Sequence, residues 1–470
     1  MKQAEYTCLK DCTRDAIVPI YEDEAVCDTI SQCLGYDITE LVDTEFKKVT
    51  IIHTLGKFLC KRILFLGMGK KSEMTTKRMR EAFAKVTECA QAPMSLIAKR
   101  AVCDHADLHQ VAALFAESYE LAIYKQTKLQ SETECATSFD ADIVANEDVS
   151  EDIKRGLSYA YGINHARDMA NTPANYMTPK RLSEEAAELA ERFSLECDIL
   201  DEAALQKLNA GGILAVSQGS DEKPYLIVLK YQGAQANDPY TALVGKGITF
   251  DAGGYNLKSD PGNMQYDMCG GADVLGAMEI IAANHFTSNV VALIPASENL
   301  INGKAYKPQD VISTMSGLSV EVDNTDAEGR LLLCDAITYA QTQLPNVKRI
   351  VDIATLTGAC ARALGDVYTG VFANDEDFYS CLTQALIESD EKGWRLPLDD
   401  AYAECLKSNS ADLKNVGKGS GGGASVAACF LERFIQKGVA WIHLDIAGVS
   451  NDSKSGATGT MVRTLANLCK

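Results

Sequence analysis

The sequence predicts an α/β fold with two domains, a small N-terminal α/β domain and a larger C-terminal α/β domain. Its 470 residues, of which 46% are hydrophobic, supply apolar material for more than one core, since a typical domain has roughly 150 residues. Short apolar segments alternate with amphipathic helical segments along the chain. A polar and acidic stretch over residues 128–152 divides this alternation into two series, which is typical of a boundary between two cores.

The N-terminal series contains two apolar strands and one amphipathic helix. We expect strands over residues 16–21 and 62–69 and a helix over 75–90. Gly67 and Gly69 stand at the end of the second strand, but the third glycine of a GxGxxG fingerprint is missing. A tight strand-to-helix turn is therefore favoured over a dinucleotide-binding loop.

The domain boundary is expected near residue 150. From residue 153 the pattern is helical as far as the turn cluster NTPANYMTP, because each proline disfavours helix for the residue before it. The sequence thus predicts an N-terminal domain over 1–150, a connecting helix over 151–170 and a C-terminal domain over 171–470.

The C-terminal series alternates between strands and helices. Strands are expected over residues 224–231, 241–250, 289–296, 349–356 and 440–447, and helices over 270–286, 329–344 and 423–435. Because these strands are apolar almost throughout, helices should cover both faces of their sheet. Ligands of such sheets bind in the crevice beyond the carboxyl ends of the strands, so functional residues are expected there.

Charge and cysteine content exclude several classes of partner. The chain carries 45 Lys and Arg against 65 Asp and Glu, and its net charge of −20 opposes binding to nucleic acid or to an anionic membrane surface. Its 16 cysteines form no CxxC pair, and no apolar run approaches the roughly 18 residues that would span a bilayer. We therefore expect free thiols and a cytoplasmic protein without nucleic-acid or membrane partners.

Several common catalytic signatures are absent from the sequence. It contains no HExxH, GxSxG or Walker-A string. His105 and His109 lie four residues apart, but a metal site needs a third ligand, so a solvated helix face is favoured for this pair. The chemistry is therefore sought among the acidic and basic residues.

The segment over residues 245–268 concentrates charge at an expected strand end. Lys246 lies within the apolar strand, and Asp251, Lys258 and Asp267 follow beyond it. A lysine buried in a strand is unfavourable unless it is paired or neutral. These residues therefore indicate a functional crevice at the tip of the strand.

The segment VDNTDAEGR, residues 322–330, places charges just before an apolar helix. Asp326, Glu328 and Arg330 recur at every second position, and an extended backbone directs such residues to one side. Hard carboxylate ligands gathered in one crevice are what a two-metal site requires. The alternative is an acidic cap at a helix N-terminus, while the register of a calcium loop fails from Asp323 and from Asp326.

Four strings stand in the order of a known family, namely VGKGITFDAGG, DMCGGA, VDNTDAEGR and DIATLTGA. With them the chain resembles the leucyl aminopeptidase, or cytosol aminopeptidase, family of two-metal peptidases. NTDAEGR is highly specific, and the likeness extends over residues 160–470, whereas the N-terminal domain resembles the family chiefly in LFLGMGKK. The resemblance implies a catalytic C-terminal domain with a mixed sheet flanked by helices, and an exopeptidase that releases leucine and other apolar N-terminal residues from peptides.

The resemblance also implies a role for each charged residue. The family's tightly held metal would be bound by Lys246, Asp251, Asp267 and Glu328, and its exchangeable metal by Asp251, Asp326 and Glu328. Lys258 would polarise the scissile carbonyl or stabilise the oxyanion, and Arg330 would hold a bicarbonate ion that acts as general base. The cofactors implied are bicarbonate and two divalent cations per subunit, Zn²⁺ or Mn²⁺, with Co²⁺ or Mg²⁺ as further occupants of the exchangeable position.

Five positions would form the substrate pocket by the same resemblance: Met264, Thr355, Leu356, Gly358 and Ala447. Leu356 would offer its backbone to the peptide, and the others would line the pocket for the first side chain. The sequence departs from the family in a shorter stretch between Lys258 and Asp267, in Ala252 where serine is common, and in Asp273 where a small apolar residue is usual. None of these differences removes an implied metal ligand.

Relatives form homohexamers with the catalytic domains facing inward, and residues 298–310 resemble a family segment near that interior. The expected partners are therefore peptide substrates and other copies of this chain.

One alternative function is that of a non-catalytic interaction or regulatory protein on an aminopeptidase fold, which the net charge of −20 and the complete ligand set oppose. Another is a phosphohydrolase, for which the sequence lacks a phosphate-binding loop.

Overall fold

The chain folds into two α/β units, which confirms the predicted fold class. The structure is a computed structural model and describes residues 1–4, 9–24, 28–126, 129, 139–417, 419, 421–453 and 456–470. The first unit is Met1–Tyr161 and the second is Gly162–Lys470. The division between them falls within a helix over Ser150–Asn171.

The first unit is built on a six-stranded sheet. Its strands are β1 (Lys2–Gln3), β2 (Asp15–Tyr21), β3 (Val49–His53), β4 (Arg62–Gly69), β5 (Met94–Ile97) and β6 (Ala141–Val144). Their spatial order is β1-β6-β5-β2-β4-β3, and every neighbouring pair is parallel except β3 with β4. The strands predicted over residues 16–21 and 62–69 are β2 and β4.

Strands β2 and β4 are buried along their whole length. Ile17 and Leu64 belong to one apolar cluster, and their neighbours Val18, Ile63 and Phe65 belong to a second one. Successive residues of a strand point to opposite faces of the sheet, so an apolar cluster lies on each face. Two covered faces explain why these strands are apolar throughout rather than alternating.

Two helices of the first unit begin at residues with polar side-chain caps. The α-helices are α1 (Asp28–Leu34), α2 (Thr76–Val86), α3 (Leu108–Ala122) and the start of α4 (Ser150–Asn171). The Thr75 side chain accepts a hydrogen bond from the backbone of Arg78, and Asp107 forms a capping box with Gln110. The helix predicted over residues 75–90 is therefore α2, with a short 3₁₀ helix over its last residues.

The acidic stretch over residues 128–152 is not a simple boundary. Residues 128 and 130–138 lie outside the described ones, but β6 is a buried strand that pairs with β5 in the first sheet. Strand β6 lies before the boundary expected near residue 150, but the sequence pattern did not predict a strand at these residues. Its single charged residue, Asp142, is compensated by Arg14, whose Nε lies 3.2 Å from the carboxylate, so the acid does not prevent burial.

The second unit is built on a nine-stranded sheet. Its strands are β7 (Glu196–Leu200), β8 (Tyr225–Gln232), β9 (Tyr240–Gly245), β10 (Gly247–Asp251), β11 (Asn289–Asn299), β14 (Val347–Ala354), β15 (Thr369–Ala373), β16 (Gly393–Arg395) and β18 (Ala440–Asp445). The order is β16-β15-β18-β14-β9-β11-β8-β7, with β10 beside β11. Strands β18, β14, β9 and β11 are mutually parallel, whereas β8 and β15 run antiparallel to their inner neighbours, so the sheet is mixed as predicted.

Shorter strands and the helices complete the second unit. The remaining strands are β12 (Val311–Ser313), β13 (Ser319–Glu321), β17 (Leu413–Lys414), β19 (Asn451–Asp452) and β20 (Gly456–Ala457). The helices after α4 are α5 (Pro179–Phe193), α6 (Glu202–Lys207), α7 (Gly211–Ser217), α8 (Cys269–Ala283), α9 (Gly329–Thr342), α10 (Gly358–Leu364), α11 (Glu376–Ser389), α12 (Asp400–Glu404), α13 (Gly423–Glu432) and α14 (Val462–Leu468). Within the described ranges, no helix combines the length and the apolar character needed to cross a membrane.

The strand predicted over residues 241–250 is interrupted. Strand β9 ends at Gly245 and pairs with the first half of β11, whereas β10 begins at Gly247 and pairs with the second half. Lys246 therefore lies between two strands and not within one. Its backbone explains the break, because its N–H donates to the carbonyl of Ile353 while its own carbonyl accepts from Gly271.

Candidate active site

A cavity of about 350 Å³ opens where strands β9, β10, β14 and β18 end. All but one of the site residues predicted from the sequence line it: Lys246, Asp251, Lys258, Met264, Asp267, Asp326, Glu328, Thr355, Leu356, Gly358 and Ala447. The exception is Arg330, which lines an adjoining cavity of about 700 Å³ together with Asp326 and Leu356. The carboxyl edge of the sheet therefore gathers the residues that the motifs place far apart in the chain.

Lys246 is buried at the centre of the charged cluster. Its Nζ lies 2.7 Å from Glu328 Oε1 and 2.8 Å from Asp267 Oδ1, and it donates to the Thr355 carbonyl at 3.1 Å. Burial opposes the charged amine, but the charges of Asp267 and Glu328 outweigh burial and raise the pKa of Lys246. Ligation of a cation by this amine requires loss of its proton, which the charge of the cation would favour.

Steric crowding by Lys246 explains why the NTDAEGR string has a glycine at position 329. A β carbon at this position would lie 2.6 Å from Cε and 2.9 Å from Nζ of Lys246. Gly329 is also the first residue of α9. Glycine therefore allows the helix to begin directly against the lysine side chain, which brings the preceding Glu328 to the amine.

Asp251, the last residue of β10, is held through one of its oxygens. Oδ1 accepts hydrogen bonds from Gly253 N and Asn299 Nδ2, both at 2.8 Å. Oδ2 lies 2.7 Å from Lys258 Nζ, which also contacts Asp326. Burial raises the pKa of Asp251, so its charged form depends on these donors and on cationic neighbours.

Asp326 and Glu328 do not lie on an extended backbone, so that expectation was wrong. The chain turns at Asp326 and is helical at Glu328, where φ is −80° and ψ is −39°. Asn415 stabilises the turn by donating from Nδ2 to the carbonyl of Asn324 at 2.6 Å. Both acids still reach the first cavity, but Arg330 follows them into α9 and faces the adjoining one.

The donor set of the cluster fits divalent cations. One carboxylate oxygen from each of Asp251, Asp326 and Glu328 lies within 4.8 Å of the other two. With Asp267 there are four carboxylates against the two amines of Lys246 and Lys258, which leaves a formal charge of 2 − 4 = −2 in a largely buried site. Hard oxygen ligands with excess negative charge suit Zn²⁺, Mn²⁺ or Mg²⁺.

Arg330 presents a buried donor without an acceptor. Its Nη1 donates to the carbonyl of Asn415 at 2.6 Å, whereas its Nε has no hydrogen-bond partner in the described part of the chain. Burial lowers the pKa of Arg330 to about 10, against the opposing charges of Glu328 and Asp445. A buried, unpaired guanidinium N–H is suited to a small anion such as bicarbonate.

Asp445 was not singled out in the sequence, although it belongs to the WIHLDIAG string. Its Oδ1 accepts from the backbone N–H groups of Leu356 and Ala447, both at 3.2 Å, and its Oδ2 accepts from Thr357 Oγ1 at 2.7 Å. One buried carboxylate thus holds both segments of the expected substrate pocket. The only signal in the sequence was a charged residue inside an apolar strand pattern, the same signal that marked Lys246.

Known proteins resemble the chain over nearly its whole length. Residues 164–466 match the catalytic domain of the cytosol aminopeptidase family, and residues 17–133 match the N-terminal domain of that family. The probable cytosol aminopeptidase of Nitrosococcus oceani is 40% identical, with 97% of this chain and 95% of that protein aligned. That of Alkaliphilus oremlandii is 39% identical, with 98% of this chain and 97% of that protein aligned.

Solved structures share the fold of both units. The bottromycin maturation enzyme BotP has a TM-score of 0.85 and 28% identity, over 97% of this chain and 98% of its own. BotP in complex with Mn gives a TM-score of 0.86 at the same identity and coverage. The fold and the carboxylate cluster thus define a metal-dependent aminopeptidase, a hydrolase. The chain belongs to the cytosol aminopeptidase family, as the sequence motifs predicted.

Proposed function

We propose that this aminopeptidase releases leucine and other apolar N-terminal residues from peptides by attack of a water that two divalent cations activate. The proposal rests on one observation, the group of four carboxylates and two lysines that lines a cavity of about 350 Å³ at the carboxyl edge of the sheet. Bound divalent cations would polarise the scissile carbonyl and lower the pKa of the attacking water.

We assign the tightly held cation to Lys246, Asp251, Asp267 and Glu328, and the exchangeable one to Asp251, Asp326 and Glu328. The proximity of Asp251, Asp326 and Glu328 oxygens supports the second set, and the contacts of Lys246 with Asp267 and Glu328 support the first. Zn²⁺ or Mn²⁺ fits this donor set, with Co²⁺ or Mg²⁺ as further occupants of the exchangeable position.

Lys258 and Arg330 supply the charges that complement the reacting groups. The Lys258 amine lies beside Asp251 and Asp326 at the edge of the cluster, where it donates a hydrogen bond to the carbonyl oxygen as negative charge develops there. The unpaired Nε of Arg330 supports its role of holding bicarbonate, which would act as general base when bound.

The preference for apolar first residues follows from the uncharged residues among the lining of the cavity. Met264, Thr355, Gly358 and Ala447 line it, and the backbone of Leu356, held by Asp445, offers hydrogen bonds to the peptide. Burying a leucine side chain in such a pocket is favourable by roughly 1.5–3 kcal/mol relative to leaving it exposed. The enzyme should therefore cleave leucyl substrates at least about tenfold faster than glycyl ones.

The test compares leucyl-p-nitroanilide with p-nitrophenyl phosphate in the presence of Mn²⁺. We expect turnover of the anilide and none of the phosphate ester, because the sequence contains no Walker-A string that would bind a phosphate. Glycyl-p-nitroanilide is the control for the leucine preference. Hydrolysis of the phosphate ester alone, or equal rates on leucyl and glycyl anilides, would contradict the proposed function.

We also propose that the enzyme is a cytoplasmic homohexamer, as its family resemblance implies. Every cysteine among the described residues is free, which is compatible with a reducing compartment. Several large apolar side chains of the second unit are exposed, among them Leu257 and Trp394 at 61% and 58%, and subunit contacts would bury such groups. Light scattering at micromolar concentration should give about six times 50.8 kDa, and a fully active monomer would contradict the hexamer.

A further inference from the structure

The two cavities of the second unit meet at a shared wall. Asp326, Leu356, Thr357 and Gly358 line both of them. The first cavity contains the carboxylate cluster and the apolar lining, and the adjoining one, about 700 Å³, is the larger. The second cavity therefore offers space for the part of a peptide beyond its scissile bond when the first residue lies in the first cavity.

Arg362 faces this shared wall from α10. It follows Gly358 by four residues, so the two positions lie on the same side of the helix. Side chains of a helix lean towards its N-terminus. Consistent with this, Arg362 Nη1 lies 3.2 Å from the point that a β carbon of Gly358 would occupy. The guanidinium therefore lies over the glycine that the two cavities share.

The guanidinium of Arg362 is exposed and forms no ion pair with any carboxylate of the described residues. Arg395, by contrast, binds both oxygens of Glu376 at 2.6 and 2.7 Å, and Arg330 is buried and donates to Asn415. In a chain of net charge −20 an unpaired arginine in a cavity stands out. Its planar group of donors matches the two oxygens of a carboxylate.

We infer that Arg362 binds the C-terminal carboxylate of short peptide substrates. The inference rests on the proposed function, because it needs the first residue of the peptide in the first cavity. The guanidinium lies over Gly358, which lines both cavities, and an extended peptide advances about 3.5 Å per residue. The carboxylate that Arg362 binds is therefore one or two residues beyond the scissile bond, which makes dipeptides and tripeptides the preferred substrates.

The test uses leucylglycine, leucylglycylglycine and the C-terminal amides of both. For each length, kcat/KM of the acid is divided by kcat/KM of the amide at low ionic strength. The unaltered enzyme should favour the acid about fivefold at one of the two lengths, the size expected for a partly exposed ion pair. Arg362→Gln should remove this preference through KM with kcat unchanged, because the contact is the same before and during the reaction.

Two further variants separate the local contact from general charge effects. Arg433→Gln removes an equally exposed arginine at the end of α13 and should keep the full acid preference. Arg362→Lys should keep part of it, since the charge remains while the paired donors are lost. If the preference for the acid survives Arg362→Gln, or is absent from the unaltered enzyme, the inference about Arg362 is wrong while the proposed function still stands. Failure to cleave any leucyl substrate, leucyl-p-nitroanilide included, would instead overturn the proposed function.

Discussion

Each unit has a cavity at the carboxyl ends of its parallel strands, and the two cavities differ in the burial of their charges. The cavity of the first unit is the larger, about 830 Å³, yet its Glu24, Lys71 and Arg100 side chains are 30%, 37% and 33% exposed. The catalytic cavity is about 350 Å³, and the side chains of Lys246 and Glu328 are each only 3% exposed. The larger of these two cavities is therefore not the one that contains the buried charges.

The difference shows which property indicates chemistry. In the first unit Glu24 lies 3.6 Å from Lys71 and 3.7 Å from Arg100, and water solvates these three partly exposed charges. In the second unit buried carboxylates outnumber the buried amines, which is unfavourable for folding unless cations or substrate complete the site. An unbalanced buried charge is thus a stronger sign of function than a large cavity.

The largest expected effect is that of metal removal. Dialysis against a strong chelator should lower activity on leucyl-p-nitroanilide by at least about 10²-fold, and Zn²⁺, Mn²⁺ or Co²⁺ should restore it, because the carboxylates cannot activate water alone. Metal analysis of the dialysed protein is the control. Undiminished turnover in a preparation shown to be metal-free would mean that the buried acids serve another purpose.

The next effect contrasts Lys258 and Arg330, which lie at the proposed active site, with Lys71 in the cavity of the first unit. Lys258→Ala or Arg330→Ala should lower kcat roughly 10²-fold or more while the metal content stays near that of the unaltered enzyme, since neither side chain is assigned as a ligand. Lys71→Ala, in the larger cavity, should leave kcat within about twofold. Equal losses from Lys71→Ala and Lys258→Ala would show that both cavities take part in catalysis.

A smaller effect is expected from Asp445, which positions the substrate pocket. Asp445→Asn removes the charge and exchanges one acceptor oxygen for an NH2 group, which weakens the hold on the N–H groups of Leu356 and Ala447 or on the Thr357 hydroxyl. KM should therefore rise about tenfold with little change in metal content. The matched control is Asp335→Asn, because buried Asp335 also accepts backbone N–H groups, those of Gly212 and Ile213, but lies outside the cavities.

Both aspartate variants should melt at a lower temperature than the unaltered enzyme, and only Asp445→Asn should change KM. A similar rise of KM in Asp335→Asn would mean that the effect of Asp445→Asn on KM comes from lower stability of the protein and not from a change in the substrate pocket. The melting temperatures and the kinetic constants are measured on the same preparations, so that loss of folded protein is not mistaken for weaker binding.

The parts of the site that the sequence predicted are those that local pattern determines. The apolar runs of β10 and β14 end at Asp251 and just before the 355–358 segment, which places both at the sheet edge without any knowledge of the other strands. The turn at Asp326 could not be predicted in this way, because it depends on Asn415, which is distant in the chain. Strand β6 was missed for a related reason, since its burial depends on pairing with β5 and not on its own composition.

The smallest effect on turnover is expected at His165, whose role is in stability. Its Nδ1 lies 2.7 Å from Glu279, and its Nε2 lies 3.5 Å from Glu185. Burial lowers the pKa of His165, but the two glutamates outweigh burial and raise it to about 9. The folded-state pKa thus exceeds the value of about 6.5 in an unfolded chain, so the stabilisation is complete below about pH 6.5 and is lost as the pH rises through 9.

The free energy of unfolding should therefore decrease less between pH 6 and pH 9 in His165→Gln than in the unaltered enzyme. The difference should be at most roughly 3 kcal/mol, and kcat should not change. His109 of the first unit is the matched control, because its Nδ1 lies 2.6 Å from Asp152 while 46% of its side chain is exposed. Solvent screens that pair, so His109→Gln should leave the pH dependence close to that of the unaltered enzyme. Urea unfolding at the two pH values measures both variants, and equal flattening by His109→Gln would show that burial does not decide the strength of these pairs.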